Sequence, residues 1–206
     1  MNNNADTFDH WVVKRSFEMV AKICKLTLLS LLPMLLIADP VFFVKGFWTT
    51  NPQYFYLTLW HVVLATGFLG VLIATKFTNS HASRTWVLVI FLVFSSLIFS
   101  WFGIISWFIT GDFSTYGIVM ICMAALFSFP GQLRRFLYIG TSVGMSIVIA
   151  SMDEKGTFLG SAVFLNLAVI VTVALAVDRY MMKNSRSHFN DIRGTVETQP
   201  NPLAES

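Results

Sequence analysis

The sequence predicts an all-α, polytopic membrane protein, with a bundle of six transmembrane helices and both termini in the cytosol. Of its 206 residues, 55% are hydrophobic and 12% are charged, whereas about a quarter of the residues in an average soluble protein are charged. The hydrophobic residues form separate runs that are long enough to cross a bilayer. Lysines and arginines are concentrated in alternate connections between these runs, as in loops that stay in the cytosol.

The apolar runs number six and define a predicted transmembrane domain over residues 17–177. A helix crosses the hydrocarbon core with about 20 apolar residues. The fourth and fifth runs are short, but a re-entrant hairpin would bury Arg134 and Arg135, and neither run contains an acidic partner for them. Two thin spans are therefore predicted there. The six spans cover approximately residues 17–37, 54–75, 86–109, 116–129, 136–150 and 158–177.

Residues 1–16, ahead of the first span, are predicted to form a cytosolic and interfacial amphipathic lead-in. Trp11 is followed by Lys14 and Arg15, a combination suited to the headgroup region. A cleaved signal peptide is the rival interpretation, because a basic segment precedes an apolar one. The apolar run is long, however, and it ends in the sequence ADP without a small-x-small cleavage site. We therefore expect the first span to be retained.

Residues 178–193, after the last span, are predicted to form a basic cytosolic helical stalk, and residues 194–206 a disordered tail. Neither glycine nor proline interrupts the chain from Ser161 to Arg193, so the helix is expected to continue beyond the membrane surface. The stalk is either a basic helix in water or among headgroups, or a short dimeric coiled coil. A heptad count makes only one of the two core positions uniformly apolar.

The orientation follows from the basic residues. With the amino terminus in the cytosol, only Lys45 and Lys155 of the 14 lysines and arginines lie outside, which predicts a multi-pass protein with both termini in the cytosol. Because the basic residues follow topology, the expected partners are the lipid bilayer and its anionic lipids, and no nucleic acid. The residues predicted to contact the cytosolic membrane surface are Arg134, Arg135, Arg179, Lys183 and Arg186.

Four residues are candidates for ligand binding. His61 is the only histidine within a span, where an ionisable residue is a functional candidate; the structural alternative is a neutral imidazole bonded to a hydroxyl or carbonyl group. Asp39 is expected at the outer helix end, where it can at most approach His61 from above. Asn166 lies in mid-membrane and is suited to an interhelical hydrogen bond. Trp48 belongs to an aromatic outer loop, which is either an interfacial belt or the lip of a ligand site.

No motif predicts catalysis, a cofactor or a metal site. Phosphate-binding, dinucleotide-binding, zinc-protease and nucleophile-elbow patterns are missing from the sequence, and no lysine lies in mid-membrane to form a retinal Schiff base. Small residues recur at helical spacing, for example Gly140 with Gly144 and Gly67 with Gly70. They predict close packing within the bundle, or a contact in a homodimer or with a partner in a membrane complex.

Six helices with cytosolic termini, short outer loops and a last helix continuing into a stalk resemble the membrane-associated sensor (MASE-type) modules of bacterial diguanylate cyclases, adenylate cyclases and histidine kinases. The resemblance covers residues 14–193. It implies a sensory or anchoring module of the bacterial inner membrane for a cytoplasmic output, with a lipid-like or small apolar ligand between the helices. Such modules continue into a catalytic domain, whereas this sequence stops soon after the stalk, which leaves open a fragment, a free-standing module or an unrelated six-helix protein. The alternatives are a small transporter or channel subunit, and an accessory subunit of a membrane complex.

Overall fold

The computed structural model describes residues 7–112, 114–127, 132–152 and 162–197, with the side chains of the last range described from Leu165 to Arg193. Every regular element in these ranges is helical. The elements are α1 (Phe8–Pro33), a π-helical segment (Met34–Ala38), α2 (Asp39–Val44), α3 (Phe47–Thr50), α4 (Pro52–Phe77), α5 (His81–Thr110), α6 (Ser114–Leu126), α7 (Leu133–Met152) and α8 (Ala162–Glu197).

Five helices in the described ranges are long and apolar enough to cross a membrane: the continuous stretch Phe8–Val44, α4, α5, α7 and α8. The sixth, α6, has 13 residues and is shorter. The predicted fourth span reaches residues 128–129 and the predicted sixth span starts at residues 158–161, and both of these stretches lie outside the described residues, as does Lys155. The all-α prediction is confirmed, and several helices could span a membrane.

The first helix is longer than the predicted first span at both ends. It starts at Phe8 after the cap residue Thr7, whose hydroxyl accepts from the His10 N–H at 3.4 Å. At its other end it widens into the π-helical segment, in which the Asp39 N–H bonds the Met34 carbonyl, five residues back. Proline removes an N–H and its ring collides with the carbonyl four residues earlier, so the wider π turn before Pro40 relieves that collision. The helical path then continues to Val44.

Aromatic rings fill the centre of the bundle between α4 and α5. Phe68 contacts Phe91 with ring centroids 5.6 Å apart, and Phe91 contacts Phe127, directly after α6, at 5.3 Å. All three rings are buried. Gly67 makes this packing close, because a Cβ atom there would overlap the ring of Phe94. The outward faces of the helices carry exposed leucine, isoleucine, valine and phenylalanine, which suits contact with lipid.

One end of the bundle gathers the beginnings of α1 and α5 and the last part of α8; we call it the near end. The rings of His10 and His81 stack with centroids 4.3 Å apart, and Phe8 contacts Phe189 at 5.7 Å. The stretch predicted as a stalk is therefore not a free rod, because one face of it packs against the start of α1. Ser185, within the predicted stalk, is buried there.

Candidate functional site

Asp39 and His61 form a buried polar pair near the other end of the bundle, the far end. The His61 Nδ1 atom lies 3.0 Å from Asp39 Oδ2 and 3.1 Å from Asp39 Oδ1, and the Thr58 hydroxyl donates to Oδ1 at 3.2 Å. Asp39 is 4% exposed and His61 is 7% exposed. An ionised carboxylate only accepts hydrogen bonds, so with Asp39 ionised the imidazole Nδ1–H is the donor in this contact.

Two local features of the sequence bring this pair together. Thr58 and His61 are three residues apart and therefore share one face of α4. The π-helical segment precedes Asp39 and turns its side chain into the bundle, and such segments often occur at functional positions. Next to the pair, the Trp60 Nε1–H donates to the Ile98 carbonyl at 2.6 Å, which ties this part of α4 to α5.

The sequence-based expectation for Asp39 is therefore wrong in one respect. Asp39 does not merely approach His61 from above, and a carboxylate is available to the imidazole inside the bundle. The reason is that the helix continues as far as Val44. Asp39 thus lies within a continuous helical path and not at the outer helix end where the sequence analysis places it.

Trp48 and Asn166 lie apart from this pair. Trp48 is on α3, where its ring contacts Phe43 at 4.9 Å and Phe55 at 5.5 Å, and its buried Nε1–H has no hydrogen-bond partner in the structure. Asn166 is on α8, and its side chain is exposed. The four predicted ligand residues thus form one pair and two separate positions.

A second polar cluster joins α7 to α8. Arg134 is 1% exposed, and its Nη2 atom contacts the Asp178 carboxylate; the Arg135 Nε–H donates to Asp178 Oδ2 at 3.1 Å. We call these three residues the arginine clamp. The prediction that Arg134 lies at the membrane surface is wrong, because its guanidinium is turned into the bundle toward an acidic partner.

The other predicted surface residues keep their exposure. Arg135 has a 38% exposed side chain despite its ion pair, and Arg179, Lys183 and Arg186 are exposed on α8. Arg186 lies over the ring of Phe8, 5.1 Å from its centroid. These side chains are available to anionic groups, whereas Arg134 is not.

An open apolar groove separates α7 from α8 farther toward the far end. Its volume is about 630 Å³, within the range of about 300–1,000 Å³ that small-molecule sites occupy. Its two serines present little polarity, because Ser146 donates to the Ser142 carbonyl at 2.8 Å and the Ser142 hydroxyl bonds Tyr116 at 3.0 Å. The lining residues are Ile139, Ser142, Val143, Ser146, Ile147, Ala150, Leu167, Ala168 and Val171.

No protein-family model, curated protein or solved structure matches the chain. Its class follows from the molecule itself: a helical protein with several helices that could span a membrane, which suggests a multi-pass membrane protein. Within the described ranges, no three histidine, cysteine or acidic side chains are grouped in the way that a metal ion requires. The features that carry chemistry there are the Asp39–His61 pair, the arginine clamp and the groove.

Proposed function

We propose that the chain is a membrane-embedded sensory or anchoring module, in which the groove between α7 and α8 takes a lipid-like or small apolar ligand and α8 carries the response. One observation supports this most directly. A single unbroken helix, α8, lines the groove with Leu167, Ala168 and Val171, supplies Asp178 to the arginine clamp and continues to the near end.

In this proposal the arginine clamp is the point about which α8 tilts relative to α7. Asp178 holds α8 against two residues of α7, so a ligand entering the groove changes the separation of the helices mainly on the far side of the clamp. A straight α-helix transmits such a tilt to its other end. The contacts that would change are those of Phe189 with Phe8 and of Arg186 with the same ring. The response is limited by the difference in ligand affinity between the two arrangements.

The proposal includes six spans and both termini in the cytosol, which the distribution of basic residues supports, and a bacterial inner membrane, which the resemblance to bacterial sensor modules implies. Cysteine labelling tests the orientation, in a Cys122→Ser background because Cys122 is exposed and Cys24 is buried. A cysteine at position 45 is expected to react with an impermeant maleimide added to intact cells, and one at position 187 only after lysis. The reverse pattern would invert the topology.

A matched pair of groove variants tests ligand binding. Ala168 and Ala176 are both exposed on α8, but only Ala168 lines the groove. In nanodiscs, a photoreactive fatty acid should crosslink to residues of the groove, and unlabelled fatty acid should compete. Ala168→Trp is expected to abolish this competed crosslinking, and Ala176→Trp to leave it unchanged. Equal crosslinking in both variants, or none that is competed, would remove the groove as a ligand site.

A reporter fusion tests signalling separately. A cyclase or kinase domain placed after Arg193 is expected to change its output when the apolar ligand is added, and the Ala168→Trp variant should not respond. Output that is the same with and without the six helices would refute the sensory role, whatever the crosslinking shows.

The buried Asp39–His61 pair favours a second candidate, a small transporter or channel subunit that is coupled to protons. An imidazole with a carboxylate partner inside the bundle is a recurrent arrangement in proton relays. In liposomes carrying a pH gradient, flux of protons or small solutes is expected to disappear in His61→Ala. Asn166→Ala, whose side chain is exposed on a different helix, should retain flux. Liposomes that contain the unmodified protein and show no flux would rule out this candidate.

A further inference from the structure

The arginine clamp closes one end of the groove between α7 and α8. Arg135 and the groove residues Ile139 and Val143 follow each other at intervals of one turn along α7, so they share one face of that helix. On α8, Asp178 lies about two turns beyond Val171, which also lines the groove. Because Arg135 donates to Asp178 across the two helices, a charged contact lies directly beyond the apolar lining.

The groove has the length and the polarity of a site for one acyl chain. Its lining on α7 runs from Ile139 to Ala150, about 16 Å along a helix. One leaflet supplies half of a hydrocarbon core that is about 30 Å thick, so the groove is about one leaflet long. The hydroxyls of Ser142 and Ser146 are bonded within the protein. The groove therefore suits an extended apolar chain, and a polar headgroup has to lie beyond one of its ends.

The charges of the two helices decide which end takes the headgroup. Arg134 and Arg135 face the single carboxylate of Asp178, and Arg179 follows it on α8, so the end at the clamp is positive. α7 has no acidic residue, and α6, which also packs against α8, has no charged residue. In the described ranges, α7 carries no basic residue after Arg135 and α8 none before Arg179. An anionic headgroup is therefore attracted to the clamp and not to the opposite end.

Arg135 is the residue of the clamp that a headgroup can reach. Its side chain is 38% exposed, whereas that of Arg134 is 2% exposed. Its Nε–H is donated to Asp178 at 3.1 Å, and the terminal NH₂ groups of a guanidinium are further donors that suit phosphate oxygens. α7 begins at Leu133 and is just long enough to cross a bilayer. Arg135 therefore lies near the membrane surface, at the level of the lipid headgroups.

Given the ligand site of the proposed function, on which this inference rests, we propose that the groove holds one acyl chain of an anionic phospholipid. The headgroup phosphate binds Arg135, and the chain extends along the groove toward Ala150. The lipid belongs to the leaflet on the side of the near end, which is cytosolic in the proposed orientation. The groove is open along its length, so the second chain stays among the surrounding lipids. A zwitterionic lipid with the same chains makes the apolar contacts but has no net charge to match that of the clamp.

Photocrosslinking with matched lipids tests the headgroup. The full chain is reconstituted in phosphatidylcholine nanodiscs with a trace of phosphatidylglycerol or phosphatidylcholine that carries a diazirine on the same acyl chain. One basic residue contributes about fivefold to the affinity for an anionic lipid, so phosphatidylglycerol should label the groove at least about fivefold more. Equal labelling that Ala168→Trp abolishes would overturn the anionic headgroup and leave the apolar ligand site intact. Absence of labelling in the groove by either lipid would overturn both.

A charge-removing variant and its matched control locate the headgroup. Arg135→Gln removes the exposed guanidinium and keeps the ion pair of Arg134 with Asp178, and Arg186→Gln makes the same change on α8, about 12 Å beyond Asp178. Arg135→Gln should lower labelling by phosphatidylglycerol to that by phosphatidylcholine, whereas Arg186→Gln should leave the preference unchanged. Arg135→Lys keeps the charge and should retain most of the preference. Equal losses in the two glutamine variants would assign the preference to the general surface charge and overturn the site.

The position of the label tests the orientation of the lipid. A diazirine close to the carbonyl of the acyl chain should modify the groove around Ile139 and Val143, one and two turns from Arg135. A diazirine at the end of the chain should modify it around Ile147 and Ala150. Peptide mapping by mass spectrometry distinguishes the two positions, and the readout does not depend on the affinity of the lipid. The reverse order along α7 would place the headgroup away from the clamp and overturn the proposal.

Discussion

Removing the charge of Asp178 should destabilise the protein more than any other single change in the arginine clamp. In Asp178→Asn, Arg134 keeps its buried guanidinium, with its side chain 2% exposed, but loses its counter-charge. Breaking a buried ion pair on one side costs about 3–5 kcal/mol. The asparagine oxygen still accepts one hydrogen bond, so we expect a loss near the lower end, about 3 kcal/mol. For a chain of this size the loss corresponds to a Tm lower by about 6–12 °C.

Thermal unfolding in a mild detergent, followed by near-ultraviolet circular dichroism, measures this change. Arg135→Gln is the matched control, because the Arg135 side chain is 38% exposed and exposed ion pairs contribute no more than about 1 kcal/mol. Adding Arg134→Met to Asp178→Asn should restore most of the lost Tm, because the unpaired charge is then gone. The reasoning is refuted if Asp178→Asn unfolds within about 2 °C of the wild type, or if the double variant is no more stable than Asp178→Asn alone.

Two further predictions concern packing and the far-end pair. Gly67→Ala should lower the free energy of unfolding by about 1–3 kcal/mol, because its Cβ meets the Phe94 ring. The control Gly70→Ala, with open space around its Cβ, should change the Tm little. Equal Tm values for the two variants would contradict the packing described at Gly67. In a double-mutant cycle, Asp39→Ala and His61→Ala should couple by about 0.5–3 kcal/mol in thermal unfolding; strict additivity would show that the hydrogen bond does not contribute.

The sequence predicts the helical structure correctly, because long apolar runs are local signals. It places the end of the first helix too early. The Asp39-Pro40 pair combines a charge with a residue that interrupts α-helices, and both features are typical of a loop. A π turn that carries the helix past such a pair leaves no recognisable mark in one sequence, so the meeting of Asp39 with His61 could not be foreseen.

The clamp was missed for a different reason. The fourth and fifth runs contain no acidic partner for Arg134, and the partner lies instead on the last helix, 43 positions from Arg135. Asp178 is the first residue of the predicted stalk, because the predicted sixth span ends at residue 177. A one-dimensional count of charges by membrane side does not show which polar residues face each other across a bundle. The small residues at helical spacing also differ in ways that the sequence does not show. A Cβ at Gly67 would meet a neighbouring ring, whereas a Cβ at Gly140 would have open space.

The near-end contact between Phe8 and Phe189 has a consequence for biogenesis. These residues lie far apart in the sequence, so the contact between them can form only after α8 has been synthesised. At about 5–20 residues per second, the delay is about 10–40 s. During that interval Phe8 and the adjacent Trp11, which also contacts the Phe189 ring, have no partner from α8. Protection of Trp11 during translation would therefore report the moment at which the bundle closes.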